Sequence, residues 1–146
     1  MTTSAHQDSA PPDRAPAAGQ IVMLRGNCMG AAVMLIIEFA LGVAVNLYVT
    51  LPAHKSFFAT VFGSATLAAH AVVALLLLAT AIAALVRAIR SKKAILLTAI
   101  GLAAILVAAF AGSSFASNQS NGASLTMALG TAVAMFCYTA AVFSLR

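Results

Sequence analysis

Four apolar runs occupy most of this 146-residue chain, and each is about as long as a helix that crosses a lipid bilayer. They cover residues 28–49, 65–86, 94–115 and 123–144, against the roughly 20 residues that a helix needs to traverse hydrocarbon. The runs are continuous and rich in Ala and Leu, whereas a membrane barrel would show about ten-residue segments of alternating polarity. Helices are therefore expected, because inside a bilayer each must satisfy its own backbone N–H and C=O groups. Composition agrees: 62% of residues are hydrophobic, 8% are charged and the mean hydropathy is +1.02, far from the roughly one-quarter charged content of soluble domains. The expected fold is an all-α integral membrane four-helix bundle, one domain over residues 21–146.

Residues 1–20 read differently. Pro11, Pro12 and Pro16 stand there among Ala, Ser, Asp and Gln, a composition that cannot bury enough apolar surface to order itself. A disordered cytoplasmic tail is expected, followed by an interfacial turn at Ile21 to Leu24. Asp8 and Asp13 stand where a secretory signal would carry bases, and the first apolar run is too long for a signal core, so the first span is expected to stay as an anchor.

Lysine and arginine set the orientation. Arg14 and Arg25 precede the first span, Arg87, Arg90, Lys92 and Lys93 lie between the second and third, and Arg146 ends the chain. Of the other two connections, only the first carries a base, Lys55. Bases concentrate on the cytoplasmic side of short loops, so both termini are expected in the cytoplasm. The formal net charge of +5 then follows from topology. It is no signature of nucleic-acid binding, because the bases are scattered over short membrane-flanking segments.

Site chemistry is sparse. Cys28 and Cys137 are expected as free thiols, since neither lipid nor a reducing cytosol favours a disulfide. No metal site is expected: His6, His54 and His70 are isolated from one another and no spaced Cys/His set accompanies them. No nucleophile elbow, P-loop or zinc-protease motif occurs, which points away from an enzyme. Phe57, Phe58, Val61 and Phe62 recur at helical spacing and read as an interfacial aromatic segment. Ala104, Ala108 and Gly112, and Gly130 with Ala134, form small faces at four-residue spacing. Such faces let helices approach closely within a bundle, or between copies in a homo-oligomer.

Glu38 is the only acidic residue in the apolar part of the chain. A carboxyl at bilayer depth costs about 2 to 3 kcal/mol even on lenient scales, so it is expected to be neutral, paired or in contact with water. Counting from Thr50 at 1.5 Å per residue places it about 18 Å from the outer end of its span. The same count brings the hydroxyls of Thr80, Thr131, Tyr138 and Thr139 near its level. It places His70 about 8 Å below the outer end, at the level of Asn46. Two polar groups follow: Glu38 with Tyr138, Thr131, Thr139 and Thr80 as a proton-binding or interhelical site, and Asn46 with His70 as an outer polar pair.

The stretch EFALGVAVNLYVTLPAH over residues 38–54, followed by His70 in the next span, resembles a group of small uncharacterised four-span proteins of high-GC bacteria. That resemblance covers nearly all of the chain after the tail and implies the four-span fold, with no assigned activity. A mid-helix Glu in the first of four spans is also similar to small multidrug resistance transporters, and this one-residue match implies exchange of a proton for a cationic substrate. The chain has no Trp, whereas that family cages its substrate with aromatic rings. The expected role is an accessory or structural component of the membrane, in contact with the lipid bilayer and with further copies or a larger membrane complex. Its alternatives are proton-coupled small-molecule transport through Glu38, and a haem-binding subunit resembling four-helix b-type cytochromes, in which the one buried His per chain would serve as an axial ligand only in a dimer or together with Met.

Overall fold

A computed structural model of the protein describes residues 14–49 and 61–146. Four helices make up these residues: α1 (Arg14–Tyr48), α2 (Ala65–Ser91), α3 (Ile95–Asn118) and α4 (Asn121–Ser144). All four are long and apolar enough to cross a membrane. Each packs against the next in sequence, and α4 packs back on α1 to close the ring; the short α2–α3 and α3–α4 connections make those pairs antiparallel neighbours.

The helices begin and end for local reasons. Arg14 to Gln20 belong to α1, so the chain becomes helical well before the end of the expected tail, and Ile21 to Leu24 form helix where an interfacial turn was expected. Pro16 permits this because it stands in the first turn, where a helix has no use for the N–H that proline lacks. Residues 1–13 lie outside the described residues, as do His54, Lys55, Phe57 and Phe58 of the expected aromatic segment. The α2–α3 turn is tight: Lys92 and Ala94 both adopt left-handed backbone, and the Lys92 N–H closes on the carbonyls of Ala88 and Ile89. Ser120 caps α4 by accepting from the Ala123 N–H at 3.2 Å, so Asn121 and Gly122 fall inside the helix rather than ahead of it.

The interior is built from small side chains. Leu77, Ala81, Ala84 and Ala88 recur along α2 at helical spacing and meet Cys28, Ala31 and Leu35 of α1 in one core that also takes in Ala134 and Ala141 of α4. Alanine at these positions lets the axes approach closely, which in lipid replaces the hydrophobic drive that packs soluble helices. Large apolar side chains such as Leu75, Phe110 and Phe136 lie on the outside, the reverse of a soluble protein. The small faces of α3 and α4 face each other within the chain: a Cβ at Gly130 would lie 3.0 Å from the Ala104 carbonyl oxygen and 3.2 Å from the Ala108 Cβ. That contact is made inside one chain, so a homo-oligomer would have to associate through other faces.

The antiparallel course places Arg14, Arg25, Arg87, Arg90, Lys92, Lys93 and Arg146 at one end of the bundle. Arg87 fixes α2 to α1 there. Its guanidinium donates to the Met23 carbonyl at 3.3 Å and to the Asn27 side-chain oxygen at 3.2 Å.

Candidate proton-binding site

Glu38 meets His70. Its Oε1 lies 3.1 Å from the imidazole Nδ1 across the α1–α2 interface, with the carboxylate side chain 11% exposed and the imidazole 21%. The distance is that of an ion pair, although the ring N–H is not aligned for a hydrogen bond, and the second carboxyl oxygen, Oε2, is buried with no partner among the described residues. A carboxyl and an imidazole this close can hold one proton on either group while the pair stays neutral overall, which lowers the cost of keeping ionisable groups out of water.

Helical spacing on α1 builds this contact. Glu38, Gly42 and Val45 share one face at i, i+4 and i+7, and Val45 is buried. Gly42 lies beside the imidazole, where a Cβ would stand in ordinary van der Waals contact, 3.4 Å from the His70 Cε1. The ring therefore lies against the α1 backbone one turn from Glu38 and comes within reach of its carboxyl. Lower on the same interface Thr80 of α2 approaches the Met34 Sδ at 3.8 Å, and lower still Arg87 reaches Asn27. One continuous register thus runs along the two helices.

The expected outer pair does not form. Asn46 is exposed, because each residue turns a helix by about 100° and a position eight residues after Glu38 has rotated about 80° away from its face. Depth counted from the span ends placed His70 at the level of Asn46 but took no account of this rotation.

None of the hydroxyls expected beside Glu38 bonds to it. Thr80 donates to the Leu76 carbonyl of its own helix at 2.8 Å, and Thr131 donates to the Met127 carbonyl at 2.9 Å. Thr139 is exposed. Tyr138 is fully buried, but its ring packs beside Gly101 of α3, in the core cluster that also holds Cys28. Cys28 stands about ten residues from Glu38 along α1, a rise of about 15 Å. The Tyr138 hydroxyl itself has no hydrogen-bond partner among the described residues. Of the residues assigned to the two polar groups, the structure brings together Glu38 and His70, one from each.

The pairing of Glu38 with His70 is what sequence reasoning missed, and counting rotation as well as rise along α1 is the signal that could have found it. A cavity of about 570 Å³ opens elsewhere, between α3 and α4, lined by Val107, Phe110, Ser114, Ser120 and Thr126 among others. It carries hydroxyls and no titratable side chain. Among the described residues no group of three or more His, Cys, Asp or Glu side chains converges as a metal site.

Comparison with protein-family models, with curated proteins and with solved structures finds no match for this chain.

Proposed function

We propose that this chain is a multi-pass protein of the bacterial cytoplasmic membrane, with both termini in the cytoplasm, that serves as an accessory component of a membrane assembly and catalyses no reaction. The observation that carries this reading is that the buried carboxyl and the half-buried imidazole answer each other across α1 and α2. The separate cavity between α3 and α4 offers no titratable group to a substrate. In this role the pair is an interhelical clamp. Affinity purification in mild detergent should recover the chain with defined partner subunits, in amounts that survive stringent washing. Isolation as a lone chain that supports substrate-dependent proton flux in vesicles would overturn the accessory role.

That flux is the mark of the second reading, proton-coupled transport of a small molecule. The buried, unpartnered Oε2 of Glu38 favours it, because a carboxyl oxygen without a fixed donor is free to exchange a proton or meet a substrate cation. Glu38→Gln keeps the size of the side chain and cannot titrate. It should abolish flux if this reading holds and leave partner recovery intact if the accessory reading holds. A visible spectrum of the same preparation tests haem binding, for which His70 is the only imidazole among the described residues.

The orientation is supported by the gathering of seven bases at one end of the bundle. A cysteine introduced at Ser120 should react with an impermeant thiol reagent in intact cells, and one at Ser91 should be protected. Labelling at Ser91 with protection at Ser120 would invert the topology.

A further inference from the structure

The basic end of the bundle lacks counter-charges. Arg25, Arg90, Lys92, Lys93 and Arg146 are all exposed there, and none makes an ion pair among the described residues, where Glu38 is the only acid. Arg25 stands thirteen residues from Glu38 on α1, a rise of about 20 Å, and at physiological salt a charge is screened beyond about 8 Å. The other two acids of the chain, Asp8 and Asp13, lie outside the described residues.

The bases are distributed around the ring. Arg25 is on α1, Arg146 follows α4, and Arg90, Lys92 and Lys93 sit where α2 turns into α3. Each has exposed apolar side chains beside it: Val22 and Met23 next to Arg25, Ile89 next to Arg90, Leu96 after the turn. Phe143 lies under the Arg146 guanidinium, 4.5 Å from the ring centre. A base projecting past an apolar side chain at the end of a membrane-length helix matches a phospholipid at the boundary between headgroup and acyl chain, where long cationic side chains reach toward the phosphates.

We propose that this end of the bundle binds the phosphodiester headgroups of anionic phospholipids, with the turn bases Arg90, Lys92 and Lys93 as the principal contacts. The occupant follows from charge complementarity: an exposed basic ring with no acidic side chain beside it among the described residues, and with apolar flanks, takes an anionic amphiphile. This rests on the membrane reading above. It does not depend on which side of the membrane the basic end faces, so a failed topology test and a failed lipid test are distinguishable.

The test uses the full chain in mixed micelles of phosphatidylglycerol and phosphatidylcholine, with bound lipids counted by native mass spectrometry. The wild-type chain should retain phosphatidylglycerol in clear preference. Each base near an anionic surface is worth about fivefold, so the triple variant Arg90→Gln, Lys92→Gln, Lys93→Gln should lower that preference at least tenfold. Circular dichroism should show its helix content unchanged, as expected for exposed positions. Equal retention of the two lipids by the wild-type chain, or an undiminished preference in a folded triple variant, overturns the proposal. So does a phosphatidylglycerol preference that emerges only in the variant Asp8→Asn, Asp13→Asn, because the N-terminal aspartates would then be what satisfies these bases.

Discussion

Glu38→Ala is expected to lower the unfolding free energy of the protein in detergent by about 3 kcal/mol, the scale on which removal of one partner from a buried charged pair acts. The substitution deletes the Oε1 that lies 3.1 Å from the His70 Nδ1 and leaves the imidazole facing a void beside Gly42. His70→Ala should cost a comparable amount, since it strands a carboxyl whose second oxygen already has no partner. Glu38→Gln keeps volume and polarity, so it should cost about 1 kcal/mol, the scale of one ordinary hydrogen bond. The decisive measurement is the double-mutant cycle. Two groups in contact should show a coupling of about 1 to 3 kcal/mol, whereas independent sites add to within about 0.5 kcal/mol. Additive losses from Glu38→Ala and His70→Ala would separate the two side chains and remove the clamp from the accessory reading. The cycle also bears on transport, because a pair that only clamps tolerates Gln in function as well as in folding, and a pair that exchanges protons does not.

Much of this architecture was legible because bilayer-length apolar runs permit little besides helices. The expected spans at 65–86, 94–115 and 123–144 correspond to α2, α3 and α4 with small shifts at the ends. The start of α1 was not legible, since three prolines in the first twenty residues read as a breaker of helix. Only Pro16 falls inside α1, in the one turn that accepts it. The site was legible in part. A lone carboxyl in an apolar span marks itself by its cost, and Glu38 is indeed buried in the bundle. Its partner was hidden because a count along a helix yields depth and leaves out azimuth. Asn46 and His70 share a depth by that count, yet Val45 takes the inward position and Asn46 turns out. The His70 ring lies beside Gly42 and reaches the carboxyl one turn away. Tyr138 escaped for a related reason: its level was counted from the ends of a single span, while its ring packs beside Gly101 in the core cluster that holds Cys28.

The contact between α3 and α4 provides the second large effect. A Cβ at Gly130 would stand 3.0 Å from the Ala104 carbonyl oxygen, 3.2 Å from the Ala108 Cβ and 3.3 Å from the Ala108 backbone nitrogen. Two of these three atoms are backbone and the third is a methyl fixed to it, so no side chain can swing aside and the helices themselves must part. Overpacking of a tight interior costs about 1 to 3 kcal/mol. Gly130→Ala is expected at the lower end of that range, because alanine recovers up to about 1 kcal/mol of helix propensity. Gly130→Leu is expected at the upper end or beyond, as it cannot fit without separating α3 from α4. Gly30 supplies the control, since it lies within α1 with nothing inside 4 Å of its would-be Cβ. There Gly30→Ala should be neutral or stabilising by up to about 1 kcal/mol through propensity alone. Unfolding of the three variants in detergent, each followed by size-exclusion chromatography with light scattering, distinguishes the two uses a small face can have. Loss of stability at Gly130 with unchanged mass places the face inside the chain. Retained stability with a smaller assembled mass would instead make it an interface between copies and refute the packing of α3 on α4 described above.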